Sequence, residues 1–388
     1  NSFCTLLGGL NGGTMAEQSA FDAKTAADDA AQRRLGLPDN YHFEIPKTIQ
    51  RIKAKKATRV ALQFPEGLLM FAVPVADLLE AETGAEMVIL GDVTYGACCV
   101  DDLNAKALGC DFLVHYGHSC LISIKDCVLP NMMYVFVEIG IDVQHFVDTV
   151  KALVPRETKV ACIATIQFVS SMRACVSMLK EYFEHPMVVP QIKPLSSGEL
   201  LGCTSPQVDP ASGVETVLYI GDGRFHLESF MIQNPHIKAL QYDPYKKVMT
   251  AEHYDHEEMR RVRLDAIETA RRASSVGVVM GTLGRQGNPR VVDRLRTLLE
   301  RQGKRVTVFL MSEIFPSKLK VIEDVDCFVQ IACPRLSIDW GYAFDRPLLS
   351  PYECEVAFGD APWGEVYPMD HYSKSGGKWA VYTDKAFD

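Results

Sequence analysis

Three cysteines hold the chemistry that this sequence can do. Cys98 ends the stretch Gly91-Asp-Val-Thr-Tyr-Gly-Ala-Cys98, Cys203 follows Glu199-Leu-Leu-Gly, and Cys333 follows Ile331-Ala. Each lies beyond an apolar run that reads as a buried strand, and glycines allow the tight turns before Cys98 and Cys203. Open α/β sheets place their ligands at the carboxyl ends of strands. Four thiolates close a [4Fe–4S] cluster, whereas three leave one iron open to bind something, as an open zinc site does. The competing reading is that the three are small buried hydrophobes, as most free cysteines are. Spacing alone leaves both open. For Cys110, Cys162, Cys175 and Cys327, inside or beside core elements, the hydrophobe reading prevails.

To bring one cysteine from each third of the chain together, the backbone must repeat. The runs Val60–Phe64, Lys159–Ala164 and Val276–Met280 each open a strand–helix alternation. In the first unit, Leu68, Phe71, Val75, Leu78 and Leu79 have helical spacing, with Pro74 expected to kink the helix. Strands are expected at Met87–Leu90, Phe112–His115 and Tyr134–Val137. In the second, Met172, Cys175, Leu179 and Phe183 share a helix face, and strands are expected at Met187–Val189, Val217–Ile220 and Ala239–Gln241. In the third, Val292, Leu295, Leu298 and Leu299 point inward and Gly303 stops the helix. Strands Val306–Leu310 and Cys327–Ile331 follow.

Such alternation builds parallel sheets with helical crossovers. The expected fold is therefore α/β: three homologous domains, each a parallel sheet flanked by helices, around a central site. They span residues 55–154, 155–272 and 273–388, the last with an irregular tail from Pro362 that wraps the body. Residues 1–54 read as an arm and a lead-in helix, and Asp255–Arg272 as a solvated connector.

With 47% hydrophobic and 23% charged residues, the chain of 388 residues is a folded protein of several domains. Its net charge of −9 argues against general nucleic-acid binding. Twelve cysteines in a large chain without a secretory signal point to the cytosol, not to a disulfide framework. No apolar run is long enough to span a membrane. The sequence does not open on Met, which reads as a fragment or an upstream extension, with Met15 a candidate start.

The motifs Phe64–Leu68, Gly91–Asp102, Val114–Cys120, Gly221–Ser229, Gly281–Gly287 and Ala332–Gly341 together closely resemble the diphthamide-synthesis enzymes, over residues 41 to 370. The resemblance implies three homologous domains, a [4Fe–4S] cluster held by Cys98, Cys203 and Cys333, and S-adenosylmethionine at the open iron. It implies radical transfer of a 3-amino-3-carboxypropyl group to a histidine of translation elongation factor 2. It also implies a homologous second subunit and a small iron-binding protein as electron donor. Two other readings are an iron–sulfur subunit that only relays electrons, and a quinolinate-synthase-like dehydratase, whose motifs fit poorly. The adjacent Cys99 departs from the single-cysteine archaeal form of the motif.

That chemistry needs the sulfonium oriented and the radical kept from water. Arg224, Arg285 and Arg335 follow strand ends, and a bidentate guanidinium is a natural grip for a methionyl carboxylate. Arg285 with Gln286 is the favoured pair, and ion pairing between domains is the alternative. The turn Gly281–Gly287, with Gly284 at its centre, lacks Gly-x-Gly-x-x-Gly but can offer backbone N–H groups to a ligand, or simply connect strand to helix. His115, His118 and Cys120 could join Cys99 on zinc. Without a Cys-x-x-Cys pair, structural hydrogen bonding is the expectation for the histidines. His226 and Glu228 are candidates for cofactor or substrate contact.

Overall fold

The structure is a computed structural model and describes residues 35–92 and 94–382. The expected arm as far as residue 34, including Met15, lies outside the described residues. A short strand β1 (Tyr41–His42) leads into the helix Ile45–Lys55. The first sheet then forms from β2 (Arg59–Gln63), β3 (Glu86–Leu90), β4 (Phe112–Tyr116) and β5 (Met132–Val135), all parallel, in the order β3-β2-β4-β5. Strand β6 (Glu138–Ile139) pairs antiparallel with β1.

The expected kinked helix after β2 is instead two helices, Glu66–Leu69 and Ala72–Thr83. Pro74 falls in the first turn of the second, where its missing N–H costs no helical hydrogen bond. The apolar side chains Val75, Leu78 and Leu79 nevertheless pack inward against Val60 and Leu62, as their spacing predicts.

The second sheet comprises β7 (Val160–Ala164), β8 (Thr216–Ile220), β9 (Lys238–Asp243) and β10 (Val248–Glu252). Its first three strands are parallel, and β10 adds an antiparallel edge. The strand expected at Met187–Val189 is reduced to a single parallel bridge between Val188 and Ala161. Helix Val169–Leu179 ends before Phe183, which is buried in the same core from the turn beyond.

In the third sheet, β11 (Ser275–Gly281), β12 (Arg305–Met311), β13 (Cys327–Ile331) and β14 (Leu348–Leu349) run parallel in the order β12-β11-β13-β14. Helix Pro289–Arg301 covers it through Val292, Leu295 and Leu299.

The helix His256–Arg271 is more than a solvated connector. Its apolar stripe, Met259, Ile267 and Ala270, joins the core of the third sheet. From the same face Arg263, fully buried, grips Glu353 of the helix Pro351–Phe358 through two bonds of 2.6 and 2.7 Å. Charges dominate the sequence of this helix because its outer face is wet, which hides the packed face from a composition reading.

Among its described residues, 362–382, the tail contains no helix or strand and wraps the body. Met369 accepts from Ser205, and Tyr382 donates to the Leu121 carbonyl at 3.0 Å. Among the described residues no helix is long and apolar enough to cross a membrane.

Candidate functional site

Cys98 sits on the turn that follows β3, closed by the Cys99 N–H on the Gly96 carbonyl at 2.9 Å. Gln63, at the end of β2, holds this turn from beneath. Its amide donates to the Cys99 carbonyl at 2.7 Å and accepts from the Asp101 N–H at 3.2 Å. From above comes the Gly281–Gly287 loop at the end of β11, whose Arg285 N–H donates to the Cys98 carbonyl at 2.8 Å. Gly284 has φ +53°, and a Cβ there would lie 2.5 Å from the Cys99 carbonyl carbon, so only glycine permits this approach.

The Arg285 guanidinium then spans to Asp102, with bonds of 2.8 and 2.6 Å to its two oxygens. Asp102 is fully buried and also receives the Val128 N–H. A bidentate, charge-assisted pair of this kind fixes orientation as well as distance.

Cys203 occupies a tight turn in which Leu201 and Thr204 exchange both backbone hydrogen bonds. Gly202 lies under the Phe225 ring, where a Cβ would collide with it. Cys333 precedes the helix Pro334–Trp340, and Arg335 on that helix ties the two cysteine segments together. Its guanidinium, buried, donates to the Gly202 carbonyl at 3.3 Å, the Phe225 carbonyl at 2.7 Å and Glu228 at 2.5 Å. It also donates to Asp339 at 2.9 Å and lies 4.5 Å from the Phe225 ring centroid. The partners on Gly202, Phe225 and Glu228 belong to the second sheet's loops and helix, while Arg335 and Asp339 belong to the third's.

The three thiols fall within electrostatic reach of one another: Cys98 feels Cys203 and Cys333, and Cys203 feels Cys333. The hydrogen bond with Cys99, then burial, pushes the Cys98 thiol well up, and the same bond draws Cys99 down. Burial pushes Cys203 up to about 12 and raises Cys333, while the Arg335 charge pulls both back in part. Cys98 and Cys203 also border one apolar cluster, with Leu195, Leu201 and Tyr372. Among the described residues no group of three or more His, Cys, Asp or Glu side chains could hold a single metal ion. A cluster of several irons needs its sulfurs spread more widely than one ion does, so a dispersed triad and a multinuclear group are compatible.

Three neutral histidines, His115, His118 and His226, neighbour one another in turn. His115 bonds Gln63 at 2.8 Å, and its ring centroid lies 5.1 Å from that of His118. Burial holds His118 and His226 down at about 4, and the Arg335 charge adds to the effect on His226. His115 Nε2 and His118 Nδ1 are buried without a hydrogen-bond partner among the described residues.

Against the sequence expectations, the structure gathers Cys98, Cys203, Cys333, Arg335, Glu228 and His226 in one region, with Arg285, Gln286 and Gly284 on its first-sheet side. Gln286 lies 3.6 Å from the Cys99 sulfur. Arg224 is half exposed and pairs with Glu252 and Glu228. All three guanidinium groups already hold carboxylates of the chain itself, as in the alternative of ion pairs. His115 is structural in its bond to Gln63, and no zinc set with His118, Cys120 and Cys99 is present among the described residues. Sequence reasoning missed Asp102, Gln63 and Tyr372. Asp102 lies within the cysteine motif and could have been flagged as an acid beside a turn. The others act over more than thirty residues of separation and left no local signal.

A family model described as "Putative diphthamide synthesis protein" matches residues 64–368. The 2-(3-amino-3-carboxypropyl)histidine synthase subunit 1 of Dictyostelium discoideum is 55% identical over 353 residues, covering 89% of this chain and 74% of that protein. The human protein of the same name is 55% identical over 347 residues, 89% of this chain and 78% of its own. The one from Schizosaccharomyces pombe is 52% identical, over 88% and 80%. Among solved structures, Dph2 from Pyrococcus horikoshii with a 4Fe–4S cluster superposes with a TM-score of 0.70 at 27% identity, over 86% of this chain and 95% of that one. The chain therefore belongs to the diphthamide synthesis family.

Proposed function

We propose that this chain is the catalytic subunit of a 2-(3-amino-3-carboxypropyl)histidine synthase. It moves a 3-amino-3-carboxypropyl group from S-adenosylmethionine to a histidine of translation elongation factor 2, the first step of diphthamide synthesis, as a cytoplasmic heterodimer with a homologous subunit. A small iron-binding protein serves as electron donor. The observation that carries this reading is that three partly exposed thiols, one from each sheet's loops, lie within electrostatic reach of one another. Cys98, Cys203 and Cys333 would hold a [4Fe–4S] cluster there. The donor set fits: three sulfurs, a low-dielectric setting, and one buried cation, Arg335, to offset the charge that deprotonation leaves.

When bound, the cluster supplies the electron that cleaves the bond from sulfur to the aminocarboxypropyl γ-carbon of S-adenosylmethionine. The chain's own residues do the rest. Arg335 fixes the Cys203 turn against the Cys333 helix, and Arg285 with Asp102 fixes the Cys98 turn against the third sheet. Neutral His118 and His226 offer hydrogen-bonding nitrogens without adding charge. Walls of apolar residues keep water from the reacting carbon. A ligand carboxylate would be held by Arg285, Arg224 or Arg335 through exchange with a carboxylate they now hold, with Gln286 and the Gly284 backbone beside it.

Anaerobic purification with iron and sulfide quantified tests the reading. Alanine at Cys98, Cys203 or Cys333 abolishes cluster content, whereas Cys99→Ala retains it. Equal loss at Cys99 moves the first ligand there, and retention in all three site variants ends the proposal. Binding of S-adenosylmethionine to the isolated chain, and product formation when the partner's cluster is disabled, distinguish catalysis from electron relay.

A further inference from the structure

The closing half of the tail, residues 369–382, lies beyond the stretch that the family model matches. It is nevertheless tied to the thiol site at its most sensitive point. The His371 N–H donates to the Cys203 carbonyl at 3.3 Å, and the Tyr372 N–H donates to Thr204 Oγ1 at 3.0 Å. Thr204 pairs with Asp370 in an antiparallel bridge. Further on, the Lys374 N–H reaches the Lys193 carbonyl at 3.1 Å, and Tyr382 reaches Leu121 of the first sheet's loops.

Between these ties the tail turns back on itself. Asp370 accepts from the Trp379 indole at 2.7 Å and from the Gly377 N–H at 3.0 Å, and Val381 donates to the His371 carbonyl at 2.8 Å. The product of this fold-back is the placement of Tyr372. Its side chain is 2% exposed and belongs to the apolar cluster bordered by Cys98 and Cys203, within electrostatic reach of Cys98, Cys203 and Cys333 alike. A segment without regular structure has no reason of its own to bury a tyrosine, since ordering it costs conformational entropy. Here burial of the ring in the apolar cluster beside Cys98 and Cys203 offsets part of that cost.

We propose that Tyr372 is a positioning residue that covers one side of the thiol site: Cys98, Cys203 and Cys333 stay partly exposed, and the strap 369–382 fills the space beside them with its ring and restricts the approach of water, dioxygen and other small reagents. The assignment concerns the chain's own thiols and stands whether or not they hold the cluster. Ring volume matters and the hydroxyl does not, because the hydroxyl makes no hydrogen bond to another described residue.

The test is alkylation of the full chain, without metal and under reducing conditions, by iodoacetamide, with each cysteine followed by mass spectrometry. Cys162, Cys175, Cys327 and Cys354, buried in cores away from the site, report global opening. With Tyr372→Ala, labelling of the three site thiols accelerates about tenfold or more while the four reference cysteines stay slow. Tyr372→Phe keeps wild-type rates. Asp370→Ala, which releases the fold-back without touching the ring, gives a smaller acceleration of the same three. In the iron-loaded protein the visible absorbance bleaches faster in air in the order Ala, Asp370 variant, Phe. Unchanged site labelling in both Tyr372→Ala and Asp370→Ala overturns the proposal. So does acceleration of site and reference cysteines together, which would make the strap a general stabiliser. A wild-type chain that binds no iron would sink the cluster reading yet leave the labelling pattern to decide this one.

Discussion

Replacing Arg335 by Met removes one guanidinium and leaves two carboxylates behind. The Arg335 side chain is 3% exposed, against 22% for Glu228 and 24% for Asp339. Breaking a fully buried ion pair costs about 3–5 kcal/mol, because the surviving charge has lost its partner and regains no water. Both surviving carboxylates here are about a quarter open, so solvent takes up part of the loss and the lower end, about 3 kcal/mol, is the expected value. The contact with the Phe225 ring adds a further ~1 kcal/mol that Met only partly replaces. Burial already raises Asp339 despite the adjacent guanidinium, so this carboxylate is the first to take up a proton when Arg335 is gone.

The assay is urea unfolding of the metal-free chain under anaerobic conditions, with iron content after reconstitution measured in parallel. Arg335→Met lowers the midpoint and loses most of its iron, since the Cys203 turn is no longer tied to the Cys333 helix. Arg335→Met combined with Glu228→Gln costs less than the sum of the two single changes, with a coupling of roughly 1–3 kcal/mol. Additive effects together with undiminished iron would show that Arg335 serves only the packing of the third unit and that the linkage between cysteine segments lies elsewhere.

Gly284→Ala forces an L side chain into left-handed backbone and against Cys99, whereas Gly303→Ala, at φ +71° with nothing within 4 Å, carries the backbone cost alone. Each pays about 1–2 kcal/mol of backbone strain, and only Gly284→Ala loses iron; equal iron in the two variants refutes the contact. Because His118 and His226 titrate at about 4 in the fold, against 6.5 in their ordinary state, the unfolded chain binds protons that the fold refuses as pH falls through that interval. Stability therefore declines from pH 6.5 toward 4, by up to about 3 kcal/mol for each residue before discounting for partial exposure, and the urea midpoint at pH 5 lies below that at pH 7.5, with a shallower slope in His226→Gln. The raised Cys98, Cys203 and Cys333 thiols must shed protons to become ligands, so iron loading of the metal-free chain tightens as pH rises from 7 to 9; a pH-independent loading would contradict thiolate ligation.

The strands were legible because parallel sheets buried on both faces read as unbroken apolar runs. Val160–Ala164 and Cys327–Ile331 are buried at every position. Met187–Val189 has the same composition but makes only one bridge, since edge position is decided by what arrives beside it. The cysteine turns stood out through their glycines and their place after strands. The forks of Arg285 and Arg335 did not. A guanidinium's partner is set by folding across 183 residues for Asp102 and 107 for Glu228, and no local pattern encodes which carboxylate arrives. An irregular tail that wraps the body is legible in its lack of periodicity, but the target of its tyrosine depends on contacts with two other units.

The repeat itself explains less of the site than its regularity suggests. The first and third sheets correspond strand for strand, β3-β2-β4-β5 with β12-β11-β13-β14, and the bridge at Val188 takes the β3 place beside β7 in the second. Cys98 and Cys203 both follow that edge place. Its counterpart in the third sheet, the Ser312-Glu-Ile-Phe315 segment after β12, holds no cysteine, and Cys333 instead follows β13 on the far side of β11. Adjacent strands lie about 4.8 Å apart, so this donor is displaced by about two strand spacings, close to 10 Å, from the place a strict threefold would assign. The third sheet must therefore present the ends of β11 and β13 to the site and turn β12 away from it. Both ends are in use: β11 delivers the Arg285 N–H to the Cys98 carbonyl, and β13 delivers Cys333 and then Arg335. Departure from symmetry lets one unit supply a sulfur and, from the neighbouring strands, the two cations that tie down the other two.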